Sequence, residues 1–577
     1  MIRNTHDGAG IQRRGRAAWA FVLALLCLAL IAGSRQITAV RADGLDTHAG
    51  PEAPLENPDA VCAKCHATLY ASYKRTTMGG GSGAARAALL PGEFTHASSG
   101  VRYRIFTRDG RAWMSYARSA LSAAGGLDGE RELLYFVGSG KHGRTYLYQA
   151  AGEWFELPIN FYARRGRWDM APAYDEATSM PAPLPVEQNC LHCHASQVET
   201  PLPEARNRFL HRPFDSGGVG CAACHGDPTA HLAAGGHGAI LNPAKMGVAA
   251  RDSACVQCHL EGDAVVYRPG KSLAAFQPGD TLSDFAVYFV RASQTGGGQR
   301  ANSQYEALLK SACKRAAGDQ LTCTTCHDPH SVPAAAERVV FYRAKCLACH
   351  NTPAFATAHH PEQQDCATCH MPSRRTADIS HEQVTDHDIE RVSASRHPAA
   401  KAWVDGEALV PVGGVTVGDR ELGLAYAQRA QKGDGKAADR ALDMLLRAET
   451  AGADDEQVHV NLGFLQQLKG NTAAARREYA AALRENPYSP SALTNRAVLD
   501  AGGGDVAEAV RLLDRLVRAD PSQTLAGVDL LKLECRAGEG EHAGALVELL
   551  RSVNPDAPEL RAFPAGRPCG AGAASGR

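Results

Sequence analysis

The chain has 577 residues, 44% hydrophobic and 21% charged, which is the balance of folded protein but too long for one ordinary domain. Its 61 Lys and Arg nearly cancel its 62 Asp and Glu, so there is neither a basic field to hold nucleic acid nor an acidic tail. Two or three domains are expected, with no nucleic-acid partner.

The N-terminus carries Arg3, Arg13, Arg14 and Arg16, then an apolar run from Ala17 to Gly33, then Val40-Arg41-Ala42. Basic, apolar and small-residue zones in that order read as a secretory signal over residues 1–42, cleaved before Asp43. The same run also reaches the lower length limit for an uncleaved membrane anchor. Cys27 lacks the small residues of a lipoprotein site, and Arg13-Arg14 is too short a signal to fix the export route.

A Cys-x-x-Cys-His motif follows at Cys62/Cys65/His66. Residues 67–189 then show short alternating segments. Val101–Ile105 and Ala112–Tyr116 flank Asp109-Gly110, while Tyr146–Tyr148 and Trp154–Leu157 flank Ala151-Gly152. Alternation around such turns predicts β-hairpins, hence a small β-rich module. Six further motifs crowd residues 190–370: Cys190/Cys193/His194, Cys221/Cys224/His225, Cys255/Cys258/His259, Cys323/Cys326/His327, Cys346/Cys349/His350 and Cys366/Cys369/His370. Gly and Pro between them leave room mainly for short helices and loops.

Residues 391–420, with Pro398 and Gly413-Gly414, read as a linker. Over 421–558 a period of 34 residues appears in Pro487, Pro521 and Pro555, with Leu462, Gly463, Ala475, Tyr479 and Ala482 as companions. Ala509 and Ala543 keep the register, and Ala441, Leu445 and Ala448 mark an earlier copy. That is the tetratricopeptide period, and four copies suffice for a helical solenoid. Residues 559–577, ending in Gly and Ala, read as a disordered tail.

Fourteen of the eighteen cysteines belong to the seven motifs. A zinc ribbon does not require the terminal His, and a thioredoxin-like site occurs once. Cysteines three apart on one helical turn face one side, where both sulfurs can form thioethers with haem vinyl groups, and the adjoining His offers a neutral nitrogen to the iron. The expected cofactors are therefore seven covalent haems c, with residues 43–390 forming a heptahaem domain. The fold class is multidomain: a haem-packed cytochrome domain of short helices and loops with its β-rich module, then an all-α solenoid.

Cys323-Thr-Thr-Cys-His-Asp-Pro-His330, Cys366-Ala-Thr-Cys-His-Met-Pro372, Gly138-Ser-Gly-Lys-His142 and Thr385-Asp-His387 resemble segments of a bacterial family of multihaem cytochromes fused to tetratricopeptide repeats. The resemblance runs from about residue 58 to 560. It implies a periplasmic or cell-surface haem protein, distantly similar to the electron-transfer and hydroxylamine- or tetrathionate-converting group, without choosing a substrate.

Sixteen histidines lie outside the proximal positions, enough for a second axial ligand at every iron. By similarity to family stretches the candidates are His96, His142, His231, His330, His360, His381 and His387. His359 competes with His360, and Met78 is an alternative at the first haem. Cys313, Cys535 and Cys569 are left over, with a buried thiol or a disulfide both open. Three functions compete. The first is an electron carrier whose repeat domain docks redox partners. The second is an oxidoreductase for nitrogen or sulfur oxyanions at a five-coordinate haem, with Arg144, Arg164, Arg165 and Arg167 as anion holders. The third is a repeat scaffold with an attached redox domain.

Overall fold

A computed structural model describes residues 54–577 apart from 123–124, 173, 294–299, 354, 356–358, 360–362, 377–378, 380–381, 391–404 and 571–577. The expected leader, His360, His381, the first half of the expected linker and the last seven residues lie outside the described residues.

Helix α1 (Ala60–Tyr73) leads into the β module. Strands β2 (Gly92–Thr95), β3 (Arg102–Arg108), β4 (Arg111–Arg118) and β5 (Leu127–Leu133) form an antiparallel meander. A second sheet has the order β1 (Ser82–Ala84), β6 (Tyr135–Val137), β7 (Gly143–Ala150), β8 (Glu153–Glu156) and β11 (Leu184–Pro185), with β9 (Ile159–Tyr162) pairing β7 and β10 (Arg167–Met170) pairing β9. Both expected hairpins are present. Asp109 and Gly110 (φ 52° and 73°) connect β3 to β4, and Ala151 and Gly152 (φ 51° and 78°) connect β7 to β8, each as the two-residue loop with positive φ that matches strand twist. Alternation sends Tyr103, Ile105, Met114 and Tyr116 into one core with Phe155, Leu157 and Trp168, while Arg102 and Arg104 stay outside.

Residues 188–390 carry short helices: α2 (Gln188–His192), α3 (Ala222–His225), α4 (Thr229–Ala233), α5 (Val248–Val256), α6 (Gln304–Lys310), α7 (Ala312–Ala317), α8 (Cys323–Cys326), α9 (Arg338–Leu347) and α10 (Cys366–His370). Helices α3, α4, α8, α9 and α10 have no fully buried side chain. Strands were not expected here, yet two hairpins form, β12 (Ala195–Val198) with β13 (Phe214–Gly217) and β16 (Ser373–Arg375) with β17 (Gln383–Thr385). A three-stranded sheet joins β14 (Ala264–Tyr267), β15 (Ala286–Arg291) and β18 (Leu409–Pro411). Strand β18 corrects the linker expectation: the apolar run from Leu409 has backbone groups to satisfy, and pairing with Phe289–Arg291 satisfies them.

The C-terminal region is a helical repeat array of four antiparallel pairs: α11 (Asp419–Gln431) with α12 (Gly435–Thr450), α13 (Glu456–Leu468) with α14 (Thr472–Glu485), α15 (Pro490–Gly502) with α16 (Val506–Ala519), and α17 (Thr524–Ala537) with α18 (Gly540–Val553). The periodic residues are its core. Ala441, Leu445, Leu462, Ala475, Tyr479, Ala482, Ala509 and Ala543 are fully buried, and a side-chain carbon at Gly463 would stand 2.6 Å from the Tyr479 ring.

The array is fastened to the rest of the chain along its length. At its start, Leu424, Ala427 and Leu445 share a core with Val266, Val287, Phe289 and Leu409. Gln428 there hydrogen-bonds both backbone groups of Val265, and Arg420 donates to the Tyr267 carbonyl. Farther on, Arg206 pairs with Asp520 at 3.1 Å. At its end, Arg118 on β4 donates through both amino groups to Asp556 at 2.7 and 2.5 Å, with side chains 2% and 5% exposed. The Met180 amide also donates to Asp556, and Val553 enters the β-module core.

The tail expectation is corrected as far as residue 570. Leu560 and Phe563 complete the core of the last repeat, Arg551 donates to both their carbonyls, and Cys569 is disulfide-bonded to Cys535 on α17. Gly and Ala dominate only beyond Cys569. Among the described residues no helix is long and apolar enough to cross a membrane.

Candidate haem-binding site

Each motif is built by a single helical turn. The amide of His225, His259, His327 and His350 donates to the carbonyl of the first cysteine of its own motif at 2.9–3.2 Å, which keeps both sulfurs and the imidazole on one side. Local capping starts several of these turns. Thr322 and Thr325 make a reciprocal capping box at α8, and the Asp365 carboxylate accepts from the Ala367 amide at α10. At α3 the turn is ended by Gly226, whose φ of 69° suits glycine. All fourteen motif cysteines lie outside any disulfide. Cys65, Cys190, Cys346 and Cys349 are exposed, and the other ten, Cys369 among them, are half-buried.

Four proximal imidazoles face a second imidazole. Ring centres are 6.4 Å apart for His66 and His231, 6.0 Å for His225 and His330, 6.2 Å for His327 and His387, and 5.6 Å for His370 and His359, with rings within 30° of parallel. An ion bound between two imidazoles at about 2 Å from each nitrogen needs ring centres about 6 Å apart. The tautomers are set in the same sense. Nδ1 of His225 lies 2.8 Å from the Leu241 carbonyl, that of His231 3.0 Å from Gly238, that of His387 2.9 Å from Thr385, and that of His370 contacts the Glu390 carbonyl. A carbonyl only accepts, so each Nδ1 carries the proton and Nε2 keeps its lone pair for a metal. Burial lowers the pKa of His194, His259, His327 and His387, which favours the neutral, ligating form. These donor sets fit covalent haem.

The other candidates sit differently. His96 is buried at the β2–β3 turn with Nδ1 on Ser99 at 2.9 Å and Nε2 on the Asp175 carbonyl at 3.0 Å, so neither nitrogen is directed at an iron. His142 is exposed, 3.7 Å from Glu382. His192 bonds Gln257 at 2.7 Å. The Met78 carbonyl accepts from Gly81 and Val219 in the loop after α1. Arg144, expected to hold an anion, is turned inward instead. Its guanidinium donates to the carbonyls of Gly138, Ala88 and Ser139 and lies 4.1 Å from the Phe136 ring centre, while Arg165 and Arg167 face Asp169. Missed by sequence reasoning was the Phe355 ring, stacked between His350 and His359 at 4.8 and 4.6 Å.

Neighbouring motifs touch, in an order that departs from the sequence. Asp59 accepts from the Cys221 amide at 2.9 Å and its carbonyl from the Cys62 amide at 3.0 Å, tying the first motif to the third. Side chains of Cys62 and Cys221, Cys193 and Cys258, Cys255 and Cys323, and Cys346 and Cys366 are neighbours. Cys224 adjoins Cys258, and Cys326 adjoins Cys349. The spatial sequence is thus first, third, fourth, fifth, sixth, seventh, with the second beside the fourth. Cys65, Cys190 and Cys369 depart from this pattern. Cys65 is turned to solvent on α1, Cys190 is exposed on α2 and Cys369 is half-buried on α10, and none of them belongs to the sulfur pairs that join motif to motif. Their assignment as attachment sulfurs follows from their place three residues from Cys62, Cys193 and Cys366, not from contact with a neighbouring motif.

Residues 168–226, from β10 through the third motif, match the family model of cytochrome c554 and c-prime. Over 97 residues the chain is 36% identical to the TPR repeat-containing thioredoxin TTL4 of Arabidopsis thaliana, a match covering 17% of this chain and 14% of that protein. Among solved structures, a tetratricopeptide repeat protein from Parabacteroides merdae is 23% identical, covering 25% of this chain and 56% of the other, with a TM-score of 0.22. The TPR protein YrrB, whose structure is described as having an unusual peptide-binding site, is 19% identical over 25% of this chain and 72% of its own, with a TM-score of 0.22. The chain therefore spans about a seventh of the curated relative and somewhat over half of the first of these structures.

Proposed function

We propose that this protein is an exported multihaem c-type cytochrome that moves single electrons through seven covalent haems, one at each Cys-x-x-Cys-His motif. The observation that carries the reading is the set of four imidazole pairs with ring centres 5.6–6.4 Å apart, three of them spaced for one iron and the fourth, His370 with His359, drawn closer with its Nε2 atoms 3.4 Å apart. Haem supplies one-electron chemistry and much of the apolar packing absent from α3, α8, α9 and α10. The protein's part is to hold neutral imidazoles in fixed tautomers and keep adjacent motifs in contact. The match of residues 168–226 to a cytochrome family supports the same assignment.

Two imidazoles at each of these four motifs favour a carrier over an enzyme there, because a six-coordinate iron leaves no position for substrate. The enzyme reading placed its open iron at the first motif, where His231 now faces His66. Export to the periplasm or cell surface is supported by the Cys535–Cys569 disulfide, a bond characteristic of oxidising compartments. The repeat array serves as a brace, since its first and last repeats are engaged with the body of the same chain. Intact-mass spectrometry of protein matured with the haem-attachment system, together with electron paramagnetic resonance and carbon monoxide titration, tests the reading. Seven haems, dominated by low-spin signals and binding little carbon monoxide, are expected. Five or fewer haems, or one tightly binding haem that turns over nitrite or tetrathionate, would overturn it.

A further inference from the structure

Residues 310–345 hold six cations, Lys310, Lys314, Arg315, Arg338, Arg343 and Lys345, against three carboxylates, in a chain whose net charge is only −1. Elsewhere many surface arginines are paired, as Arg102 with Glu93, Arg108 with Glu130 and Arg447 with Asp419. Among the described residues these six hold no ion pair in direct contact; the one further carboxylate that faces them is Asp388, near Lys310 and Arg315, while Arg343 donates to the Gln363 and Gln364 carbonyls. Lys314 is buried on the Leu321 carbonyl, and Asp328 is spent on Ser331 and the His330 amide. Arg315 and Arg338 are exposed, and Lys345 is half-buried 5.1 Å from the Phe341 ring centre.

These cations ring the fifth and sixth motifs. Helix α9 runs directly into Cys346, and Lys345 acts electrostatically on Cys326. Helix α7 is brought beside both motifs by Cys313, which neighbours Cys326, Cys346 and Cys349. Within the ring lie Val340, 71% exposed, and Val332, 55% exposed. An apolar centre with a charged rim is the anatomy of a transient protein interface, and unpaired charge of one sign steers a partner of the other.

We propose that this face, formed by α7, α9 and the loop before α9, docks an acidic one-electron redox protein. It rests on the multihaem reading above. One electron passes between the partner's cofactor and a haem iron at the fifth or sixth motif: a reduced partner is oxidised by one electron as a ferric iron becomes ferrous, and no proton or bond is exchanged. The second-order rate falls as salt screens the encounter.

The test uses the full haem-loaded protein in stopped flow, with reduced plant-type ferredoxin, an acidic donor of low potential, as probe. Wild type should slow at least tenfold between low and high salt. The Arg315→Glu/Arg338→Glu double variant should be at least tenfold slower at low salt and lose most of its salt dependence, with Arg338→Gln intermediate. Arg484→Glu on α14, also exposed, should match wild type. Dithionite should reduce every protein alike; failure of that control would strike the electron-transfer reading rather than the docking face. A wild-type rate that is flat or rises with salt overturns the proposal. So do variants with altered haem content or midpoint potentials but an unchanged ferredoxin rate, because the arginines would then be holding haem propionates.

Discussion

Residues 421–553 and residues 221–370 are of similar length and place their apolar side chains differently. In the repeat array Leu445, Leu462, Tyr479, Leu512 and Leu550 are fully buried in the successive cores between its helices. In the motif-bearing stretch five helices have no fully buried side chain, and Val332 and Val340 stand open. Short helices are marginal without tertiary packing. The array therefore holds its own shape by side-chain contact, whereas on the proposed reading the motif stretch would depend on attached haem.

The contrast breaks most visibly at the cofactor. Cys323→Ser with Cys326→Ser should cut the yield of folded protein roughly tenfold, as expected where ligand binding is coupled to folding. Haem-stained gels and limited proteolysis, with first cuts inside 300–390, would show it; normal accumulation of an equally resistant protein would remove the distinction. Next comes the joint between the regions. Asp556→Ala strands a buried Arg118 and should cost about 3–5 kcal/mol in denaturant unfolding, without changing the haem spectrum.

Within the array, Leu445→Ala should cost about 2–5 kcal/mol, while Val340→Ala on α9 should stay within about 0.5 kcal/mol. Equal losses would mean that α9 has a side-chain core after all. The smallest effect is one of pH. Burial works against the charged form of His459, but hydrogen bonds to Asp454 and Glu478 outweigh it and raise its pKa. Its contribution is therefore full below about pH 6.5, the unfolded value, and is lost as pH rises through the higher folded value. His459→Gln should flatten that slope, by less than about 1 kcal/mol; an unchanged slope would place the proton elsewhere.

What could be read in the sequence follows from how locally each feature is specified. Asp109-Gly110 and Ala151-Gly152 announce their hairpins because positive φ is a property of the turn itself. Ala475 and Tyr479 announce the array because the same packing recurs every 34 residues. Strand β18 was hidden in a stretch whose Pro398 and Gly413-Gly414 read as linker, since its partner β15 lies over a hundred residues away. The end of the chain was hidden by its Gly and Ala, although Leu560, Phe563 and Cys569 precede most of them. At the site, spacing identifies the motif residues, Cys65 and Cys369 included, and His231, His330 and His387 were singled out by similarity. Which motif each histidine faces depends on long-range folding, as does the choice of His359, and the engaged nitrogens of His96 were not visible at all.

The Arg118–Asp556 pair also imposes a timetable. A guanidinium enclosed in β4 has its counterion 438 residues downstream, so throughout synthesis the early part of the chain lacks the group that makes its enclosure tolerable. Domains otherwise fold as they emerge, N-terminal first. Here the β module can close over Arg118 with its charge matched only when the last repeat arrives. The closing ion pair can form only in a chain that has been made as far as Asp556.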